Sequence, residues 1–422
     1  MAFLLLGAAG AAAATAYAAY ARDRDYTSQI AAGDRAAAAQ PFEALEKYSG
    51  AIALRPESML AHLKRGRMYR ERGDLEAAAR DLRRATELDP TATLPLELLG
   101  DTYLSMGRHD RAAERYAAYL ALDDRAPRIW YKLGLARYRH GQAAAAISAL
   151  DRAVGLDSSM ADAHFVLGLC HREQGDAPRA RASLEMATQL APGLTAPREA
   201  LAGVYADSGD SSRAIDQLEA LAALDPTTSA RFVALGVAHA RARRHEAAVL
   251  TLSRAVERFP NDPGVYGALG RVWLDAAEAR QDPVALKKAL EALTTAATHT
   301  DATSETLADL GRAWMRSGDL SAAQRVLRQA TTRLPVYPAA FLHLALVSGR
   351  AGRLQEARDA LVKYAVLVDE TVPMAEVATQ IAAYSIRLGQ PQLALRWIDR
   401  AADETGDTPE LVALRRRAVD AR

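Results

Sequence analysis

The chain has 422 residues, and 53 lysine and arginine side chains balance 52 aspartate and glutamate side chains, which leaves a formal net charge of +1. This balance gives no indication that the chain binds nucleic acid or an acidic surface. The single cysteine, Cys170, excludes an intramolecular disulfide and a zinc site built from several cysteines.

The N-terminal segment is the first element along the chain. Residues 2–21 carry no charge, and Arg22 and Arg24 follow them, interleaved with two aspartates. Twenty helical residues span about 30 Å, enough to cross the core of a bilayer. We therefore predict that residues 1–24 form a membrane anchor with a single uncleaved span over 2–21. The two arginines behind the span weakly favour a cytoplasmic location for the rest of the chain.

Two other interpretations of this segment remain open. Small residues recur at Ala16, Ala18 and Ala21, as in the cleavage site of a signal peptide, although no basic residue precedes the apolar run. Only residues 3–6 are strongly hydrophobic, so the segment also fits an alanine-rich helix that caps the first repeat.

From residue 25 to residue 408, an alanine recurs at one position of a repeating unit, usually at intervals of 34 residues. A fixed period of this length is typical of an array in which each unit packs on its neighbours. We place eleven units at 25–58, 59–92, 93–126, 127–160, 161–194, 195–228, 229–262, 263–303, 304–337, 338–371 and 375–408. The recurring alanines are Ala44, Ala78, Ala112, Ala146, Ala180, Ala214, Ala248, Ala289, Ala323, Ala357 and Ala394. A small residue precedes the first seven by twelve positions, at Ala32, Gly66, Gly100, Gly134, Gly168, Ala202 and Gly236.

Each unit predicts two helices, because its apolar residues recur at spacings of three and four. In the second unit, Gly73 and Asp74 separate the helices, since glycine can end one helix in a left-handed conformation and the polar residue opens the next. Pro90 closes the unit, because proline cannot continue a helix. We expect the small residues, such as Gly134 and Ala146, to lie where two helices approach closely.

The unit at 263–303 departs from the pattern, because it is seven residues too long, with the extra length around residues 278–288. Asp282 and Pro283 in this stretch predict a helix start. Arg243 and Ala277 occupy the turn-glycine position in the unit at 229–262 and in the long unit. Residues 409–422 predict a polar terminal helix that caps the last apolar face.

The order of residues in these units resembles the tetratricopeptide repeat (TPR) family, whose unit has Leu-Gly and Tyr in the first helix and two alanines and a proline after it. The second unit carries this order as Gly66, Tyr69, Ala78, Ala85 and Pro90. The resemblance covers residues 25–408. It implies an all-α fold, a right-handed α-solenoid of about eleven helix-turn-helix units with a capping helix at its C-terminus. It also implies a scaffold or adaptor for protein–protein interaction.

No group of residues in the sequence predicts catalysis. The glycines lie one repeat apart and form no phosphate-binding loop, and His245-Glu246 lacks the second histidine of a zinc-protease helix. Cys170 and His171 are adjacent, so on a helix their side chains point about 100° apart and cannot share a metal. We therefore expect no catalytic residues, no cofactor, no metal site and no enzymatic activity.

The resemblance implies that the first helices of the units line a concave groove and that a stripe of their side chains contacts the partner. In the N-terminal half this stripe is apolar, which favours a binding surface over a solvated one. Toward the C-terminus it carries arginines. The predicted groove residues are Leu60, Leu63, Leu94, Tyr131, Leu135, Tyr138, Phe165, Leu169, Arg312, Arg316 and Arg350. The predicted partner is a protein or peptide segment, apolar with an acidic part that the arginines hold.

One known variant of this groove grips the C-terminal carboxylate of a peptide with lysine and asparagine side chains. Here the corresponding positions of one unit hold Leu63, Lys64 and Arg67 and include no asparagine, so the sequence does not favour that form. Two alternatives to a simple scaffold remain. The first is a regulatory or assembly subunit of an envelope or polysaccharide enzyme complex, and the other, which the sequence favours least, is a stand-alone enzyme.

Overall fold

The computed structural model describes residues 2–369 and 371–421, with side chains from residue 14 onward. Within these residues it contains 23 helices and no strand, and about 80% of the chain is helical, which confirms the predicted all-α class. The chain divides into two compact units between Ser208 and Gly209.

Consecutive helices of the N-terminal unit pack as hairpins, and each hairpin packs on the next. The pairs are α1 with α2, α3 with α4, α5 with α6, α7 with α8, and α9 with α10, and α11 follows on α10. The helices are α1 (Ala2–Ala36), α2 (Pro41–Leu54), α3 (Met59–Glu71), α4 (Leu75–Leu88), α5 (Thr93–Ser105), α6 (His109–Leu122), α7 (Pro127–Arg139), α8 (Ala143–Leu156), α9 (Ala161–Glu173), α10 (Ala177–Leu190) and α11 (Thr195–Asp207).

The C-terminal unit begins with α12 and continues with five hairpins, from α13 with α14 to α21 with α22. Its last helix, α23, packs on α22 at the position predicted for a capping helix. The helices are α12 (Ser211–Leu224), α13 (Ser229–Arg241), α14 (His245–Arg258), α15 (Pro263–Arg280), α16 (Pro283–Ala297), α17 (Ser304–Ser317), α18 (Leu320–Ala330), α19 (Ala339–Arg350), α20 (Leu354–Leu367), α21 (Ala375–Arg387), α22 (Pro391–Thr405) and α23 (Pro409–Asp420).

Small residues allow the helices of a hairpin to approach closely, as the repeat predicts. All eleven recurring alanines are buried. A Cβ atom added to Gly134 in α7 would lie 2.5 Å from Leu150 Cγ in α8, too close for an unstrained contact. The residue that faces the glycine is therefore this leucine, one helical turn after Ala146, and no side chain larger than hydrogen fits opposite it.

The first hairpin differs from the predicted register by one residue. Gly33, and not Ala32, is the buried small residue at the close approach to α2, and a Cβ atom on it would lie 2.5 Å from the ring of Tyr48. Tyrosine takes the place of leucine again at Tyr116, which faces Gly100. The tyrosine ring packs directly against the backbone of the facing helix, as leucine does in other hairpins, and the glycine leaves room for it.

The N-terminal segment does not support the predicted membrane anchor. Across the described residues, 2–369 and 371–421, no helix combines the length and the hydrophobicity needed to cross a bilayer. Alanine fills most of residues 2–21, and it contributes much less apolar surface than leucine or phenylalanine. Helix α1 also continues through the predicted boundary at residue 24, and Tyr26 and Ile30 pack on the first hairpin.

The long unit places its turn at a different residue from the one predicted. Helix α15 continues through Ala277, which is buried, and ends at Gln281, whose φ of 55° is left-handed. The insertion moves the turn because it lengthens the first helix. Asp282 then caps α16 by accepting hydrogen bonds from the backbone N–H groups of Val284 and Ala285, as predicted. In the preceding unit, Arg243 itself adopts the left-handed conformation, with a φ of 58°.

Side-chain caps at the turns contribute to stability, which gives a first prediction. The Asp74 carboxylate accepts a hydrogen bond of 3.2 Å from the Ala77 N–H at the start of α4. Asp74→Ala should therefore lower the free energy of unfolding by about 1 kcal/mol. Gln142→Ala, at the same position before α8, is the control, because Gln142 makes no capping hydrogen bond. Urea denaturation followed by circular dichroism should show a loss only for Asp74→Ala, and equal losses would contradict the role of the cap.

Candidate protein-binding surface

A cleft of about 470 Å³ lies between α3, α5 and α7 in the N-terminal unit. Leu60 and Leu94, in the first turns of α3 and α5, line it and are 42% and 51% exposed. Leu63 and Leu98 also line it but are buried, so they form its floor. Three of the predicted groove residues, Leu60, Leu63 and Leu94, thus lie together, and two of them present apolar surface to solvent.

Charged side chains surround these leucines, with basic residues in excess. The cleft is lined by four basic side chains and two acidic ones, which are Lys64, Arg67, Arg70, Arg128, Glu97 and Asp101. Arg67 and Arg128 are largely exposed, and each has one carboxylate neighbour within the chain, Glu71 and Glu97 respectively. The cleft therefore combines an apolar floor with a charged rim on which Arg67 and Arg128 are the exposed basic side chains.

The lysines next to the cleft are already held by carboxylates. Lys132 Nζ lies 2.7 Å from oxygens of both Glu97 and Asp101. The Tyr116 hydroxyl donates a hydrogen bond of 2.7 Å to Asp101. Burial is the main reason why the pKa of this hydroxyl is raised, and the hydrogen bond to Asp101 raises it further. The same arrangement of an aspartate with a tyrosine and a lysine is found two units earlier.

In that earlier arrangement, Tyr48 and Lys64 both donate hydrogen bonds to Asp34, at 2.8 and 2.7 Å. Burial is again the main reason why the pKa of the Tyr48 hydroxyl is raised, and the Asp34 carboxylate raises it further. Lys64 and Lys132 therefore neutralise carboxylates of α1 and α5.

The predicted aromatic residues form a neighbouring patch on α7 and α9. Tyr131, Leu135, Tyr138 and Phe165 are half-buried and pack against one core cluster that contains Ala146. Burial raises the pKa of both tyrosine hydroxyls. These side chains share one apolar surface, and part of each is committed to the core.

Leu169, the last apolar residue of the predicted stripe, is also half-buried on α9. Its neighbour Cys170 is fully buried, and burial raises the pKa of the thiol to about 12, so this thiol stays protonated at neutral pH. Within the described part of the chain, no group of three or more histidine, cysteine, aspartate and glutamate side chains could hold a metal ion.

The arginines predicted for the groove lie in the C-terminal unit and have partners that the sequence did not indicate. Arg312 Nη2 lies 2.7 Å from Asp275 Oδ1, and Nε atoms of both Arg312 and Arg316 lie 3.3 Å from Glu278 Oε1. Arg350 is exposed. Two of the three predicted arginines are therefore in contact with carboxylates of the preceding hairpin. The Arg312–Asp275 and Arg316–Glu278 contacts join residues 37 and 38 positions apart, and Glu278 lies in the lengthened part of the preceding unit, so the regular repeat does not predict these pairs.

A wider cleft, of about 890 Å³, lies between α18 and α20, and none of the predicted groove residues lines it. Helix α18 has 11 residues, whereas the other second helices have 14 or 15, and the two threonines that follow it line the cleft together with Phe341 and Leu344. Buried Ser304 donates a hydrogen bond of 2.8 Å to the Ala330 carbonyl and accepts one from Tyr337 N–H, which stabilises the early end of α18. Two adjacent threonines at 331 and 332 are the sequence signal, since β-branched residues are poor helix formers.

An all-α chain of stacked helical hairpins, with a cleft between their first helices, has the architecture of a helical-repeat binding protein. A family model described as "Tetratricopeptide repeat" matches residues 98–161, 132–195, 200–263 and 308–371, and one described as "TPR repeat" matches residues 66–107. These matches cover more than half of the sequence, and the chain belongs to the tetratricopeptide repeat family. Family and architecture together support a protein-interaction scaffold.

Several solved structures are similar to parts of this chain. MamA is 28% identical over 38% of this chain and 93% of its own, with a TM-score of 0.37. YrrB, described as a TPR protein with an unusual peptide-binding site, is 21% identical over 44% of this chain and 96% of its own, with a TM-score of 0.39. Yeast Tom70 is 13% identical over 89% of this chain and 99% of its own, with a TM-score of 0.48. No curated protein matches the chain in sequence.

Proposed function

We propose that this chain is a non-enzymatic scaffold that holds a segment of another protein against the first helices of its N-terminal unit. The cleft between α3, α5 and α7 carries this proposal, because Leu60 and Leu94 expose apolar surface above a buried leucine floor. Covering such surface is favourable by roughly 25 cal/mol per Å². An amphipathic helix laid into a groove is one recurring way to cover it.

The charges around the cleft favour an acidic partner segment. Four basic side chains face two acidic ones, and the acidic pair, Glu97 and Asp101, already contacts Lys132. Among the described residues, Arg67 pairs with Glu71 through Nε and Arg128 pairs with Glu97 through both Nη atoms, and each guanidinium keeps further N–H donors for carboxylates of a partner. Such rim contacts act mainly on partner selection and association rate.

A pair of designed peptides tests both features of this proposal. The first carries leucines at positions i, i+3, i+4 and i+7 and glutamates on its other face, and the second has lysines in place of the glutamates. Isothermal titration calorimetry should show binding of the acidic peptide to the full chain and weaker binding of the basic one. Raising the salt concentration should reduce this difference, because exposed charges are screened.

Truncating the exposed leucines should weaken binding of the acidic peptide. Leu60→Ala and Leu94→Ala should each cost about 1 kcal/mol, or about fivefold in affinity, through the apolar surface they remove. Leu122→Ala is a matched control, because this leucine at the end of α6 is 46% exposed and does not line the cleft. Equal binding by all three variants and the wild type would exclude the cleft as the binding surface.

A further inference from the structure

The long repeat unit carries an extra helical turn that contacts the predicted arginines. Helix α15 has 18 residues, whereas α13, the corresponding helix of the preceding unit, has 13. The additional residues are 276–280, and Glu278 lies among them. The seven-residue insertion therefore brings a carboxylate that the regular repeat does not have at this place.

This carboxylate joins two guanidinium groups of α17. Glu278 Oε1 lies 3.3 Å from Nε of Arg312 and 3.3 Å from Nε of Arg316. Asp275, one turn earlier on α15, lies 2.7 Å from Arg312 Nη2. Two cations of one helix thus converge on a single oxygen atom of the added turn.

The contacts of this carboxylate leave donors of both arginines unused. Arg312 Nε is buried and, among the described residues, makes no hydrogen bond, although Glu278 is near. The Arg316 side chain is more than half exposed, and Glu278 is its carboxylate neighbour. A guanidinium group has five N–H donors and binds a carboxylate best in a two-bond, coplanar arrangement. Glu278 contacts each arginine through one oxygen atom, so a carboxylate from a partner can form the two-bond arrangement that Glu278 does not form.

We propose that Arg312 and Arg316 form a binding site for a carboxylate of an acidic peptide, and that the added turn of α15 occupies this site with Glu278 until the peptide displaces it. A small cleft of about 180 Å³ lies beside Arg316 and is lined by Glu278, Leu286 and Asp282, and it leaves space for an incoming side chain. The Asp282 carboxylate in it is already engaged as the cap of α16. The inference rests on the proposed function only in taking the partner to be a protein segment. It concerns the C-terminal unit, so either proposal can fail without the other.

A fluorescein-labelled peptide of ten glutamates is a suitable probe, with binding to the full chain measured by fluorescence anisotropy at low salt. Glu278→Gln removes the competing charge and keeps the shape of the side chain. It should tighten binding about two- to fivefold, the range expected when a competing exposed ion pair is removed. Adding Arg316→Ala to this variant should abolish the gain. Glu278→Ala provides the same comparison should the amide variant prove unstable in thermal denaturation.

Glu291→Gln is the matched control for overall charge. Glu291 is exposed on α16, lies near Lys287, and its replacement changes the net charge by the same amount. If Glu291→Gln tightens binding as much as Glu278→Gln does, the effect is a general one and the proposed site is wrong. An unchanged affinity for Glu278→Gln, or a gain that persists without Arg316, would overturn the proposal as well. Binding of the leucine peptides to the N-terminal unit is a separate measurement, and its loss alone would reject only the proposed function.

Discussion

Gly134→Ala should lower the free energy of unfolding by about 1–2 kcal/mol, with the loss located in the N-terminal unit. The added Cβ atom would lie 2.5 Å from Leu150 Cγ and 2.7 Å from its Cδ2. Cγ is the branch point of the side chain, so α7 and α8 must move apart, and overpacking of this kind costs about 1–3 kcal/mol. The higher helix propensity of alanine returns up to about 1 kcal/mol of this. Urea denaturation followed by circular dichroism measures the net effect.

Gly155→Ala, in the other helix of the same hairpin, should have the opposite sign. Gly155 is exposed, and a Cβ atom on it would meet no atom within 4 Å. Only the propensity term remains, so stability should rise by about 0.5 kcal/mol near this helix end. If the two variants shift the urea midpoint in the same direction, close approach is not the reason for the glycine in α7.

The repeat could be predicted from the sequence because it follows from close packing. Two helices that cross at short distance need a small side chain on at least one of them. Small residues therefore recur at the positions of Gly134 and Ala146 in successive units. The all-α class follows from the three- and four-residue spacing of apolar residues within each unit, and the resemblance to the family follows from the order of residues in that unit. The repeat pattern does not distinguish Ala32 from Gly33, because the two residues are adjacent and both are small.

The lengths of individual helices were harder to predict, because they depend on contacts with other units. Helix α18 ends early where Ser304, 26 residues away in sequence, bonds the Ala330 carbonyl. Helix α15 continues past Ala277 because the insertion extends it. At α18 two threonines weaken the helix locally and a distant side chain stabilises its end, whereas at α15 an added turn decides where the helix ends.

The candidate surface could be predicted in part. The stripe that the family resemblance implies includes Leu60 and Leu94, and the structure leaves both exposed. The arginine stripe illustrates what a pattern omits, because Asp275 and Glu278 neutralise Arg312 from another helix. Such a pair joins two units through space, and the residues of one unit alone do not identify the partner.

The aromatic patch provides the prediction with the largest expected effect on binding. Tyr131→Ala should weaken binding of the acidic leucine peptide by about 2 kcal/mol, or about thirtyfold. A half-buried aromatic ring offers a large, already ordered surface, and such anchors carry a disproportionate share of interface energy. Tyr138→Ala and Phe165→Ala, in the same patch, should act in the same direction.

Because these rings also pack on the core, each variant must be measured for stability as well as for affinity. Trp130→Ala separates the two effects, since this half-buried ring packs on the same cluster as Tyr131. Its indole N–H bonds the Asp124 carbonyl, and Arg152 lies over its ring. Trp130→Ala should therefore destabilise the unit and leave affinity near the wild-type value under conditions where both proteins are folded.

The decisive comparison is between the groove and the long unit as docking places. A folded variant that combines Tyr131→Ala, Tyr138→Ala and Phe165→Ala should lose measurable binding of the leucine peptide, whereas deletion of the seven-residue insertion should not affect it. The reverse result, with binding retained by the triple variant and abolished by the deletion, would show that the peptide binds at the extra turn of α15 and not in the groove. It would also mean that the apolar stripe of the first helices serves only to hold α7 and α9 together.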